Sequence, residues 1–159
     1  MKKLVHTFAP LYNENTEILI LGSFPSVKSR ENDFYYMNPQ NRFYKVLSIL
    51  LEEDIYNCSI EKKKEILLRN RIGIYDVVQS CTISGSSDAS INNVIVNDVD
   101  SIVINTKIKK ICLNGTLAYN LFIKYFSQYK SIAIKLPSTS PANAKYNLDD
   151  LIREWKRIL

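Results

Sequence analysis

The sequence predicts an α/β protein with a central, mainly parallel four-stranded sheet covered on both faces, and three observations carry that prediction. Short apolar runs bounded by turn residues alternate along the chain with amphipathic helical stripes, the order that parallel strands joined by helical crossovers produce. The runs are too short for buried helices. From Leu19 to Leu51 the chain passes from strand to polar loop to helix, the arrangement with which α/β proteins build sites at the carboxyl ends of their strands. At 159 residues the chain is expected to form one domain, 1–159, large enough for a real core.

The elements follow in order. Residues up to Thr16 read as irregular, with Ala9-Pro10 and Asn13-Glu14-Asn15 as turn material. Ile18-Leu19-Ile20-Leu21 is the first strand, spilling into the turn Gly22-Ser23-Phe24-Pro25-Ser26. A helix is expected from Asn38-Pro39, with Asn38 as cap and Pro39 at the first helical position. Phe43, Val46, Leu47, Leu50 and Leu51 form its buried stripe. Ser59 to Asn70 reads as a short charged helix, Ile72 to Val78 as a strand, and Cys81 to Ser90 as a loop of small residues.

Asn97 is expected to cap a helix carrying Val99, Ile102 and Val103 on one face, with Asp98 and Asp100 in its first turn. Lys110 to Asn114 is a third strand, broken by Gly115. Leu117, Ala118, Leu121, Phe122, Tyr125 and Phe126 give the next helical stripe, and Ile132 to Leu136 the fourth strand. Asn147 caps a last helix with Leu148, Leu151, Ile152 and Trp155 at helical spacing.

Composition excludes several classes. With 46% hydrophobic and 23% charged residues the chain is that of an ordinary globular protein. No apolar run approaches the ~20 residues of a membrane span, so no membrane partner and a cytoplasmic location are expected. The net charge of +5 permits a polyanionic partner without demanding one. Cys58, Cys81 and Cys112 are widely spaced and form no C-x-x-C pair, so neither zinc nor an iron–sulfur cluster is expected. A single histidine, His6, argues against a Ser/His/Asp triad.

Three loops follow expected strands and concentrate polar residues: Gly22–Asn41, Asn114-Gly115 and Pro137–Asn143. In an open parallel sheet all three emerge at one edge and converge on one pocket. Only four glycines are present, in neither a dinucleotide fingerprint nor a P-loop pattern, so a dinucleotide or ATP enzyme is disfavoured.

LGSFPS (Leu21–Ser26), NPQNRFYKVL (Asn38–Leu47), SGSSDASI (Ser84–Ile91), LNGTLAY (Leu113–Tyr119) and LPSTSPANA (Leu136–Ala144) together resemble the hypoxanthine-DNA glycosylase branch of the uracil-DNA glycosylase superfamily. The blocks stand in that family's order and span nearly the whole chain. The resemblance implies a three-layer α/β/α domain that flips a damaged nucleotide out of DNA and hydrolyses its N-glycosidic bond. That bond breaks through an oxocarbenium-like state, so the protein must read a base edge, stabilise the leaving base and hold a water beneath C1′.

The resemblance assigns base recognition to Asn114, whose carboxamide both donates and accepts. On spacing alone, an Asn before Gly-Thr caps the following helix. Water positioning falls to Asn41. Superfamily relatives usually place Asp or Asn before the proline of the first motif, but Phe24 stands there, and in the hypoxanthine branch the asparagine of the PQNRF block is implicated instead. The local alternative for Asn41 is a first-turn residue satisfying helix N–H groups.

Backbone N–H groups of Gly22, Ser23 and Phe24 are expected to support the leaving base. Phe24 and Tyr36 are candidates to stack on it. Ser138, Thr139 and Ser140 are expected at DNA phosphates, with Pro141 beside them as part of a wedge. Lys28, Arg30, Arg42 and Lys135 are candidates for long-range attraction. The family often carries tryptophan at the position of Tyr44, which bears on the pocket mouth, and the third motif lacks the histidine of efficient uracil enzymes. No lysine suggests Schiff-base chemistry. The expectation is a monomeric, monofunctional glycosylase acting on deoxyinosine in DNA that contains a deaminated base, with no metal and no cofactor. The alternatives are a uracil or mismatch glycosylase, or a silent DNA- or nucleotide-binding domain on the same fold.

Overall fold

The computed structural model describes residues 2–83 and 91–159. Its centre is a four-stranded, wholly parallel sheet of β2 (Ile18–Gly22), β3 (Ile72–Asp76), β6 (Lys110–Asn114) and β7 (Ala133–Leu136), in the order β3-β2-β6-β7. Strand side chains alternate between faces. Leu19, Leu21, Ile111 and Leu113 therefore meet Phe122 of α5 (Thr116–Tyr125) and Ile102 of α4 (Val99–Ile104). Ile20, Ile74, Cys112 and Leu136 face the other way. They meet Leu47 of α2 (Phe43–Leu50), Leu67 of α3 (Ile60–Arg69) and Trp155 of α6 (Leu148–Trp155). This is the expected three-layer α/β/α arrangement. Leu19, Ile20 and Leu21 are each 0% exposed, and each such residue contributes roughly 1.5–3 kcal/mol by burial. Among the described residues no helix is long and apolar enough to cross a membrane.

Caps explain where several helices begin. Ser59 accepts the Lys62 N–H at the start of α3, and Asn147 forms a reciprocal capping box with Asp150 at the start of α6.

The structure differs from the sequence reading at six places. The N-terminus is not irregular throughout: Lys2–Val5 is β1, which pairs antiparallel with β4 (Val78–Ile83), itself paired with β5 (Ile91–Val96) in a second sheet. The run Ile72–Val78 is two strands, parting at Val77, where the chain leaves the central sheet for the second one. Cys81–Ile83 continues β4 instead of opening a loop; residues 84–90 of that expected loop lie outside the described residues.

Asn97 is not the cap of α4. It is 5% exposed, and its Nδ2 donates to the carbonyls of Asp76 and Val78, bracing the bend between the sheets. Asp98 takes the cap by accepting the Ser101 N–H. A short helix missed in the first loop, α1 (Val27–Asn32), is capped by Ser26. Finally, α2 starts at Phe43, not at Asn38. Asn38 instead accepts from Gln40 N–H and, through its carbonyl, from Asn41 N–H, closing a turn before the helix.

Candidate active site

From β2 the chain runs to β3 on one side and later to β6 on the other, so the crevice at their carboxyl ends is a topological switch point. A cavity of about 460 Å³ opens there. Its lining brings together Gly22, Ser23, Phe24, Tyr36, Asn41 and Asn114 with Ser138, Thr139 and Ser140. The three sequence-distant loops do converge.

At its centre is Thr139, which is 0% exposed. Its backbone N–H donates to Asn114 Oδ1 at 3.0 Å, and its Oγ1 accepts from Asn114 Nδ2 at 3.0 Å. That hydroxyl donates its own proton to Asn41 Oδ1 at 2.8 Å. Asn41 Oδ1 also accepts the Phe43 N–H at 2.9 Å. Backbone N–H groups can only donate, so both amide orientations are fixed by the network. Asn114 keeps one Nδ2 hydrogen for the cavity. Asn41 has both oxygen lone pairs engaged, which leaves its Nδ2 as the end available to a small ligand.

Thr139, expected among the phosphate contacts, is thus too buried for one; it ties the two asparagines together. Asn114 does not cap α5, whose cap position is Gly115 with no side-chain bond. Asn41 serves its helix and faces the cavity at once. Ser138 and Ser140 stay partly exposed and Pro141 exposed. The two serine hydroxyls accept from Ser140 N–H and Ala142 N–H, shaping the loop.

Arg42 is not a free surface cation. Its guanidinium donates to the carbonyls of Tyr146, Ser140 at 2.9 Å and Asn143 at 3.2 Å, and its backbone N–H donates to Thr139 O. It clamps the loop after β7 onto the start of α2. Lys28 is exposed and pairs with Glu31, while Arg30 lies over the Phe24 ring at 5.7 Å. Lys135 is exposed. Tyr44 does not shape the pocket mouth: it is 3% exposed, and its hydroxyl donates to Tyr35 O.

One ring face of Tyr36 is taken by Phe43, stacked at 4.0 Å and 25°. Its hydroxyl is buried among Gly22, Asp76 and Asn114. Burial, reinforced by the Asp76 charge, holds this phenol well above the ordinary tyrosine range. Asp76, at the end of β3, was overlooked by sequence reasoning; the signal was an acidic residue closing an apolar strand. It is 3% exposed, and its Oδ2 is 2.9 Å from Nε2 of His6, the residue just beyond β1. Burial raises the Asp76 pKa, and the hydrogen bond from His6 opposes that shift.

Gly22 lies in register with Asp76. A Cβ there would sit 2.6 Å from Asp76 Oδ1 and 3.1 Å from Tyr36 Oη. Gly22→Ala is accordingly expected to destabilise the fold by about 1–3 kcal/mol and to narrow the cavity. Urea unfolding alongside single-turnover kinetics measures both, and unchanged values would mean that the neighbours yield freely.

Residues 9–158 match the profile of the Uracil DNA glycosylase superfamily. The chain belongs to that superfamily. It is 34% identical over 154 residues to a protein of Methanosarcina acetivorans named Hypoxanthine DNA glycosylase, covering 95% of each. It is 38% identical over 90 residues to a protein of the same name from Methanosarcina barkeri, covering 57% of each. A solution NMR structure from M. acetivorans, described as a candidate uracil DNA glycosylase, superposes with a TM-score of 0.78 at 32% identity, covering 95% of this chain and 96% of that one. As a DNA glycosylase of the superfamily, the enzyme acts on DNA.

Proposed function

We propose that the protein is a monofunctional glycosylase that hydrolyses the N-glycosidic bond of deoxyinosine in DNA, acting as a monomer formed by the single domain 1–159. The observation that carries this reading is the pair of carboxamides locked by Thr139 at the switch-point cavity, supported by likeness to relatives named for hypoxanthine. A flipped nucleotide presents its base to Asn114, whose second Nδ2 hydrogen meets the carbonyl O6. Asn41 Nδ2 donates to one lone pair of a water and leaves the other for C1′, so its contribution is orientation more than proton abstraction. Expulsion of the base as an anion precedes attack, and the water, once bonded to the oxocarbenium carbon, loses a proton that reaches the departed base through solvent, leaving neutral hypoxanthine and an abasic sugar. Ser138 and Ser140, both partly exposed, offer hydroxyls to the DNA backbone, with Pro141 beside them.

Oligonucleotides carrying one inosine or one uracil, treated with alkali after incubation and resolved on a gel, test the reading. Strand scission at inosine supports it; scission at uracil alone assigns the site to another base. Asn41→Ala is expected to lower the single-turnover rate about 100-fold. DNA affinity should stay near that of the wild type. Loss of binding with an unchanged rate would remove Asn41 from the chemistry.

A further inference from the structure

Two groups at the cavity have no task in that mechanism. Among the described residues Tyr36 Oη is buried and meets no hydrogen-bond geometry, with the Asn114 amide beside it. A native fold ordinarily avoids such an orphan unless a ligand completes it. Asp76 presents the second group. Its Oδ2 is held by His6, and its Oδ1 points at the space beside Gly22.

The sheet explains why these groups meet. Strand alternation places Asp76, Gly22 and Asn114 on one face, at the carboxyl ends of three adjacent strands, with the glycine in the middle. Neighbouring strands stand about 4.8 Å apart, so the missing side chain leaves a gap between the carboxylate and the carboxamide. The Tyr36 hydroxyl borders that gap, 3.1 Å from the point a Gly22 Cβ would occupy.

The chemistry of the pair follows from its partners. Whether the proton shared with His6 sits on the imidazole or on Oδ2, Asp76 Oδ1 stays an acceptor. Among the described residues the tyrosine hydroxyl has no acceptor, so it is free to donate. The row therefore runs donor (Asn114 Nδ2), donor (Tyr36 Oη), acceptor (Asp76 Oδ1). We infer that Tyr36 and Asp76 are specificity-determining residues that read a lactam edge, a ring carbonyl beside a ring N–H. The carbonyl, O6 of hypoxanthine, sits between Asn114 and Tyr36, and N1–H donates to Asp76. Uracil offers O4 and N3–H in the same relation. Adenine offers an amino group to two donors and a lone pair to the carboxylate. Polar mismatches of this kind in a buried site reject a base far more strongly than a shape difference does.

This inference rests on the glycosylase reading above, and its test separates the two. Single-turnover rates are measured on DNA carrying inosine, nebularine (purine with neither O6 nor N1–H), uracil or N3-methyluracil. Tyr36→Phe removes a hydroxyl that donates to no described group and keeps the ring on Phe43, so the variant is expected to fold with an undiminished Tm. It is expected to slow release from inosine about 10-fold and to leave nebularine nearly unchanged. Asp76→Asn should slow inosine about 100-fold and narrow the inosine-to-nebularine ratio by a similar factor.

Equal slowing on both bases, or none, in a folded Tyr36→Phe variant overturns the inference while deoxyinosine cleavage stands. If the wild type releases uracil but not hypoxanthine, the deoxyinosine reading fails. The lactam reading then requires that Tyr36→Phe narrow the ratio of uracil to N3-methyluracil, and an unchanged ratio overturns it. Release of none of these bases overturns both.

Discussion

Thr139→Val is expected to slow base release by about 100-fold, because one hydroxyl orients both carboxamides of the site, and a loss of this size corresponds to roughly 2.7 kcal/mol of positioning. Valine matches the shape of threonine but neither donates nor accepts. Asn114 Nδ2 then loses its acceptor, and Asn41 Oδ1 loses one of its two donors. Both amides are freed to turn. The unpaired groups lie beside a fully buried side chain, which should destabilise the fold by about 1–3 kcal/mol, or very roughly 3–10 °C in Tm at this chain length. Thr139→Ser keeps the hydroxyl and should recover most of the rate. A valine variant with lowered Tm but wild-type kinetics would show that Thr139 holds the loop without organising the chemistry.

Arg42→Ala is expected to produce the largest stability loss, about 3 kcal/mol, since hydrogen bonds to a charged donor contribute more than neutral ones. The guanidinium gathers three carbonyls of the loop between β7 and α6. With the clamp gone, the Ser138–Asn143 turn should lose its shape and DNA affinity should fall with it. Arg42→Lys should not rescue, because an ammonium cannot span three carbonyls in the planar fork of arginine. Urea unfolding and the salt dependence of DNA binding distinguish this role from a phosphate contact. A salt slope reduced by about one with unaltered stability would return Arg42 to the DNA surface.

Much of the framework was readable in the chain. The apolar runs Ile18–Leu21, Lys110–Asn114 and Ile132–Leu136 read as short strands, the last of which begins at Ala133, and the Trp155 stripe behind Asn147 as a capped helix. Local pattern decides such elements because backbone preference and burial agree within a few residues. The second sheet was hidden for the opposite reason. Its strands β1 and β5 are largely exposed, with burial patterns that lack a clean apolar face, so their identity comes from pairing with β4 and not from their own residues.

The same division runs through the site. Gly22 was legible as a candidate because a strand end and turn residues mark where loops converge, whereas Asn41 and Asn114 were singled out by the family resemblance. Their partners were not legible. Sequence presents Thr139 as a hydroxyl in a polar turn, Arg42 as a surface cation, and His6 and Asp76 as residues 70 positions apart. A hydrogen bond is a contract between groups that only the packed chain brings within 3 Å. The strand order β3-β2-β6 set the carboxylate, the glycine and the carboxamide in one row, and folding alone determined which of their polar atoms remained for a ligand.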